Sequence, residues 1–255
     1  MKNKLNISLV IPCRNEAEGI ALLVKKALKI AAEVIVVDNQ STDKTALVAK
    51  KAGARVIKEP RVDKLGIGYG YSLTRGMKAA KHEIVVTLDG DGTYPIDQIE
   101  ATLNFMGRKN VDMLLCSRFP LVDGQAISWW RQLGVWLLNT QVRLFYGYDM
   151  QDILSGMWLV KKSVLSSLKL NEGGWNLSPE IKLAAIMNQK ISIDQFHIHH
   201  YEREFGQSKQ KLVITGLEHL WFIFAYRVRH LLPVRLKFTP LFSIKFWKSA
   251  REVRV

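Results

Sequence analysis

Cysteine is almost missing from this 255-residue chain: Cys13 and Cys116, each closing an apolar, strand-like run, are the two it has. That excludes a disulfide framework and suits reduced thiols in a cytosolic protein. Long apolar runs are missing too. The longest weakly charged stretch, Leu212 to Tyr226, still carries Glu218 and His219 and falls short of the ~20 apolar residues of a spanning helix. The start, MKNKLNISLVIPCRNE, has too short an apolar segment before Arg14 for a signal peptide, so the fold is expected to begin at once. No internal repeat or low-complexity linker interrupts the sequence. Acidic residues are scarce, with 23 Asp and Glu against 37 Lys and Arg, a net charge of +14.

What is present is core material. Hydrophobic residues make up 48% of the chain, which excludes wholesale disorder. At roughly 100–200 residues per domain, this is one large domain or one domain with an extension. The positive charge is uneven. From Tyr201 to Val255, 11 Lys and Arg face four Asp and Glu, and 10 of the 24 aromatics lie there. Such an end suits an anionic membrane surface or nucleic acid, and composition does not choose between them.

The first 116 residues alternate between two periods. Apolar runs at Ile7–Ile11, Val34–Val37, Arg55–Ile57, Ile84–Leu88 and Val111–Cys116 read as strands. Between them, helical spacing predicts helices over Ile20–Ile30, from a Ser41 or Thr42 cap to Ala52, over Ser72–Ala80 and over Ile96–Met106. Regular alternation means an α/β fold, a mostly parallel sheet with helices on both faces. The second half predicts a long helix at Trp129–Tyr146 and a strand at Met157–Val160. A helix over Ser178–Asn188, capped by its serine, a half-buried strand at Ile191–Ile198 and further helix after Lys211 follow.

In parallel sheets, ligands bind beyond the carboxyl ends of the strands. Three polar clusters stand there: Asn15-Glu16, Asp38 with Asp43, and Asp89-Gly-Asp91. Residues i and i+2 of an extended segment point the same way, so Asp89 and Asp91 can address one point. Two carboxylates side by side repel. A hard divalent cation, Mg²⁺ or Mn²⁺, removes that cost and also takes diphosphate oxygens. Alone, an Asp-x-Asp pair carries little information and is more often a capped turn after a strand.

The pair is not alone. IPCRNEAEGI, VIVVDNQSTDKT, the Gly66–Gly70 loop, TLDGDGTYP and LLCSRF follow in order, each at a strand end. Arg131, Asp152-Ile-Leu-Ser-Gly156, Ser178-Pro-Glu180 and Arg203-Glu-Phe-Gly-Gln-Ser-Lys209 extend the set. As an ordered series, about residues 7 to 210, these motifs resemble the family 2 glycosyltransferases of the GT-A fold. Within them the chain is most similar to the polyprenyl- and dolichol-phosphate mannose or glucose synthases.

The resemblance implies a GT-A catalytic domain over 1–210 and a basic, aromatic-rich, amphipathic helical extension over 211–255. It implies nucleotide contacts from Pro12, Asn15, Glu16, Asp38 and Asp89, with Asp38 accepting from a base N–H. Asp89 and Asp91 would hold the metal, and Asp91, Asp152, Arg131 and Arg203 would form the catalytic set. Arg118, Arg131, Ser155, Arg203 and Lys209 would meet phosphate or acceptor. The donor would be a UDP- or GDP-hexose and the acceptor a polyprenyl phosphate, at the cytosolic face of a membrane. Two departures stand out: Asn39-Gln40 where the family often has Asp-Gly, and Thr93 where some relatives carry a further metal ligand, Gln.

Elementary chemistry leads the same way. A phosphate acceptor has a second pKa near ~6 and is largely dianionic at neutral pH, so it needs cations but no general base. A sugar hydroxyl would need a carboxylate base, and Asp152 is available for that role. A glycan or other hydroxyl acceptor is therefore the alternative. A Rossmann reading of Gly66–Gly70 is disfavoured because that loop follows the third strand, not the first. His197, His199 and His200 lack a partner at zinc-ligand spacing. A nucleic-acid role would call for basic and aromatic residues interleaved on a sheet, and the strands lack them. After Lys211, Leu212, Leu217, Leu220, Trp221, Phe224 and Val228 form an apolar helix face followed by cations, the pattern of a helix lying in a membrane interface.

Overall fold

The computed structural model describes residues 4–121, 127–203 and 212–231. Seven strands form one sheet: β1 (Leu5–Cys13), β2 (Ala31–Asp38), β3 (Arg55–Lys58), β4 (Ile84–Thr87), β5 (Met113–Ser117), β6 (Trp158–Lys161) and β7 (Ile193–His197). Their order is β3-β2-β1-β4-β6-β5-β7, and β6 alone runs antiparallel to its neighbours among these pairings. The expected α/β sheet is present.

Helices cover both faces. On one side α1 (Ile20–Ile30), α2 (Thr45–Lys51) and α4 (Ile99–Lys109) bury Ile20, Leu23, Val24, Ala49, Ile99 and Met106 against Leu9, Ile11, Val36, Val86 and Leu114. On the other side α3 (Tyr69–Ala79), α5 (Trp129–Tyr146), α7 (Leu177–Met187) and α8 (Leu212–Leu231) meet Val10, Ile35, Val37, Val85 and Trp158. A four-residue α6 (Lys162–Leu165) follows β6. Because both faces of the sheet are covered, alternate residues of each strand enter opposite cores. The strands therefore read as continuous apolar runs rather than as alternating ones.

Two expected caps are put to other uses. α2 begins at Thr45, where the Thr45 amide donates to Asp43 Oδ1 at 2.9 Å. Ser41 and Thr42 instead bind the loop after β1: the Asn15 amide donates to Ser41 Oγ, and the Thr42 amide to Asn15 Oδ1. Asn15 adopts a left-handed φ of 54°, which an asparagine tolerates better than most side chains. Ser178 lies within α7 rather than at its cap, and its hydroxyl donates to the Ser155 carbonyl at 2.9 Å.

The chain runs outward from β1 to β2 and β3, then crosses to β4 on the other side of β1. The carboxyl ends of β1 and β4 thus diverge at a switch point, and a crevice opens there. At that end Cys13 is level with Asp38 in the β1–β2 register.

Candidate active site

A cleft of about 1090 Å³ occupies this switch point. Pro12, Arg14, Asn15 and Glu16 line one wall; Asp89, Asp91 and Thr93 form the floor; Arg118, Arg131 and Arg203 bring cations to it. Beyond them the lining turns apolar, through Trp130, Val135, Leu137 and Leu138 of α5 to Leu212, Leu217 and Leu220 of α8. One cavity joins an acidic floor, a ring of guanidinium groups and a greasy trough.

Close approach dictates the glycines around the acid pair. A Cβ on Gly90 would sit 2.6 Å from Cys13 Sγ, so the β4 loop closes directly on the end of β1. A Cβ on Gly156 would sit 2.9 Å from Asp89 Oδ1 and 2.8 Å from the Tyr69 hydroxyl. Asp89 is thereby wedged between two segments, and it accepts a hydrogen bond from Tyr69 at 3.0 Å. Burial and the neighbouring Asp91 charge push its carboxyl up to about 7. Asp91 accepts from Thr93 Oγ1 at 2.8 Å and pairs with Arg203 Nη2 at 2.5 Å.

Asp152 is placed differently. It is buried, and Arg118 grips it from Nε at 2.7 Å and Nη2 at 3.0 Å, with the Arg118 and Leu154 amides donating as well. Burial alone would raise its carboxyl; the Arg118 charge and hydrogen bonds outweigh this and hold it below the usual range. Both of its oxygens are occupied.

Residues 8–169 match the family described as Glycosyl transferase family 2. The chain belongs to that family. It is 29% identical over 225 residues to the low-salt glycan biosynthesis hexosyltransferase Agl6 of Haloferax volcanii, which covers 85% of this chain and 52% of that relative. The chain thus spans about half the length of that protein. It is 24% identical over 238 residues to a dodecaprenyl-phosphate galacturonate synthase of Rhizobium johnstonii, covering 88% of this chain and 69% of the relative. Among solved structures, glucosyl-3-phosphoglycerate synthase from Mycobacterium tuberculosis in complex with Mn²⁺, UDP and phosphoglyceric acid superposes with a TM-score of 0.68 at 20% identity. That match covers 87% of this chain and 78% of the other and establishes the shared GT-A fold.

In this glycosyltransferase most of the residues marked from the sequence meet in the one cleft. Pro12, Asn15, Glu16, Asp89, Asp91, Arg118, Arg131 and Arg203 line it. Asp38 lies buried at the end of β2, its Oδ1 without a hydrogen-bond partner among the described residues, beside the lining residue Asn39. Ser155 does not line the cleft. It is fully buried, its hydroxyl accepting from the Met157 amide, because the 152–156 loop turns its backbone inward. Lys209 lies outside the described residues. Of the three histidines, His200 lines the cleft, while His197 meets the Pro120 carbonyl and the His199 amide donates to Gln98.

Two residues escaped the sequence reading. Ser72 of α3 is fully buried on the cleft wall with a hydroxyl that has no hydrogen-bond partner among the described residues. Its signal was a polar residue on the helix face that also carries Leu73, Gly76 and Met77. Lys182 of α7, also fully buried, gave no signal, since a lysine in a helix normally reads as solvated.

The donor set suits a divalent cation. Among the described residues no three carboxylate, histidine or cysteine ligands converge, but Asp89 and Asp91 do. A carboxylate raised to about 7 by burial and then by its neighbour's charge is the electrostatic imbalance a cation removes. Mg²⁺ or Mn²⁺ characteristically takes one or two carboxylates and completes its shell with substrate phosphates and water.

Proposed function

We propose that this enzyme moves a hexose from a UDP- or GDP-sugar to the phosphate of a polyprenyl lipid, with inversion, while resting on the cytosolic face of a membrane. The cleft's shape carries this reading. A small polar acceptor has no use for the trough of Trp130, Val135, Leu137, Leu138, Leu212, Leu217 and Leu220 that continues the cleft beyond the guanidinium groups. An isoprenoid chain does. α5 exposes Trp129, Trp130 and Trp136, each about 60% accessible, together with Leu133, Leu137 and Leu144, and of these Trp130 and Leu137 line the trough while Trp129 stacks on Trp130. Contiguous apolar surface on this scale marks an interaction site, and indoles favour the headgroup level.

Charge supports the same acceptor. Asp152, the carboxylate available as base for a hydroxyl, is committed to Arg118 on both oxygens. A phosphate dianion attacks the anomeric carbon without losing a proton; the new C–O bond forms as the bond to the nucleotide diphosphate breaks, and the pair of electrons leaves on that diphosphate. Two anions must then be held together, and Arg118, Arg131 and Arg203 stand in the cleft to do so. A divalent cation held by Asp89 and Asp91 would neutralise the leaving diphosphate. Asp38 Oδ1 and Ser72 Oγ, both buried without partners among the described residues, suit recognition of the nucleotide.

α8 contributes twice. Thr215, His219, Phe222, Ile223 and Tyr226 face the protein, with His219 Nδ1 2.7 Å from Asn176 Oδ1. Leu212, Leu217 and Phe224 of the apolar face marked from the sequence remain exposed. No helix among the described residues is long and apolar enough to cross a membrane. The test is transfer from UDP- and GDP-hexoses to undecaprenyl phosphate in anionic vesicles, set against a soluble phosphate acceptor and a glycan. Turnover that prefers the long-chain lipid phosphate is expected; equal or better use of a soluble or hydroxyl acceptor overturns the lipid assignment.

A further inference from the structure

Lys182 has no described carboxylate within bonding distance, yet its side chain is completely enclosed. Its Nζ lies 2.7 Å from the Ile153 carbonyl, 2.7 Å from that of Ser155, 3.1 Å from that of Asp152 and 3.3 Å from Ser178 Oγ. Three carbonyls of one short loop therefore converge on a single nitrogen. A charge is tolerated in such a place only where hydrogen-bond acceptors replace its lost hydration.

The loop so gathered touches the reaction centre at both ends. Asp152, at its start, fixes the Arg118 guanidinium at the cleft. Gly156, at its end, backs onto Asp89, its carbonyl accepting from Thr87 Oγ1 at 2.7 Å and its amide donating to the Tyr94 hydroxyl at 2.6 Å. We propose that Lys182 is a positioning residue for glycosyl transfer: its ammonium draws the 152–155 carbonyls together and so sets where Arg118 and Asp89 stand relative to each other. This rests on the transferase activity and not on the identity of the acceptor.

The chemistry of the nitrogen makes the device sensitive to protonation. An ammonium has three N–H groups for four acceptors. A neutral amine has two, and its lone pair would face a carbonyl oxygen. Burial pulls Lys182 down to about 7; the Asp152 charge opposes this, and Arg118 reinforces it. Asp89 beyond β4 also favours the charged form, while Cys116 on β5 stays a neutral thiol, its pKa pushed up by burial. From α8, His219 faces the same region but is itself held neutral, at about 4, by burial and by Lys182. Glu180, two residues before Lys182 and so on another side of α7, points elsewhere and accepts from the Asn171 and Glu172 amides. Below about 7 the ammonium holds the loop; as pH rises through that value the hold is lost.

The test compares wild type, Lys182→Arg and Lys182→Met in kcat and KM from pH 6 to 9, with nucleotide affinity and thermal melting measured alongside. The assay follows consumption of the nucleotide sugar with whichever acceptor the wild type uses, water included. An error in acceptor class therefore appears in the wild type, and an error about Lys182 appears only in the ratio of variant to wild type. In wild type kcat is expected to fall above a midpoint near 7. Lys182→Met should bind nucleotide within about threefold of wild type while losing about tenfold in kcat, with no descending limb. Lys182→Arg should regain much of the lost kcat and carry it to high pH, since a guanidinium stays charged. A wild-type kcat that is flat to pH 9 overturns the proposal without reference to any variant's folding. So does a folded Lys182→Met with wild-type kcat, or a descending limb that persists in both variants.

Discussion

Replacing Asp152 by Asn separates two mechanisms that the sequence left open. In the structure this carboxylate accepts from Arg118 Nε, Arg118 Nη2, the Arg118 amide and the Leu154 amide, and its side chain is wholly buried. An amide of the same shape has one oxygen to accept with, and turns an NH₂ toward donors on the other edge. Arg118 would be left without a counter-charge. Breaking a buried pair from one side costs about 3–5 kcal/mol. The Arg118 side chain is 15% exposed, so water relieves part of this, and the lower end, about 3 kcal/mol, is expected.

For a chain of this size that corresponds to a fall in Tm of about 6–12 °C. The sign with pH follows from a carboxyl held below its ordinary value. Its stabilisation is present above the unfolded pKa of ~3.9 and is lost as pH falls through the folded value, so wild type and variant should converge in strongly acid solution. Scanning calorimetry from pH 3 to 8 measures both effects. Kinetically, kcat below the melting range should drop by about tenfold or less, with the acceptor KM raised as Arg118 shifts. General-base catalysis by Asp152 would instead take ~10²–10⁴ from kcat, abolish the ascending pH limb and leave Tm unchanged. That pattern would refute the structural reading of Asp152 and restore a hydroxyl acceptor.

Asp91→Ala should lower transfer by at least ~10³-fold with the fold intact, because charge balance at the leaving diphosphate is lost, and excess EDTA should do the same to wild type; full activity in either case removes the metal assignment. Ser72→Ala deletes a buried hydroxyl without an intramolecular partner, so UDP or GDP affinity by calorimetry should weaken about fivefold, near ~1 kcal/mol, with no loss of Tm; unchanged affinity means the hydroxyl does not meet the nucleotide. Trp136→Ser with Leu217→Ser removes apolar area from the exposed surface of α5 and from the trough wall on α8. Binding to anionic vesicles in a flotation assay should fall on the order of tenfold, about 1.4 kcal/mol, while hexose transfer to a short-chain acceptor persists. Undiminished flotation would place the membrane contact elsewhere.

The fold was legible because both sheet faces are covered. Strands such as Ile7–Ile11 and Val34–Val37 become unbroken β-branched runs, and the helices between them carry one apolar stripe, as in Ile20, Leu23, Val24 and Ala27 of α1. The caps were less legible, since a serine or threonine near a helix start has several backbone groups within reach. Ser41 and Thr42 serve the Asn15 loop, and Ser178 serves the Ser155 carbonyl, because those long-range partners satisfy groups that would otherwise be buried unpaired. The acid pair could be marked because strand ends point to one edge of a parallel sheet, whereas Arg118, Arg131 and Arg203 were marked through the family resemblance, Arg131 lying within a helix. Arg203 reaches Asp91 from 112 residues away, a distance that only the recurrence of ordered motifs could bridge.

The trough was beyond reach for a reason that bears on function. A helix packed on a core and open to water on its other side shows one apolar stripe, and that asymmetry is what periodicity detects. α5 buries only Val135, Leu138 and Val142, yet it also carries Trp129, Trp130, Leu133, Trp136, Leu137 and Leu144 on its open surface. α8 similarly buries Phe222, Ile223 and Tyr226 while exposing Leu212, Leu217 and Phe224. Apolar residues on both sides blur the period: α5 could not be oriented from its sequence, and the face marked on α8 did not separate the stripe that packs on the protein from the one that stays exposed. Packing on the sheet demands only the buried stripe. Keeping three indoles and several leucines in water adds a risk of aggregation with no gain to the folded monomer, so the second stripe calls for an apolar occupant. Its continuity with the cavity that holds Asp89, Arg118 and Arg131 argues that this occupant arrives together with the acceptor.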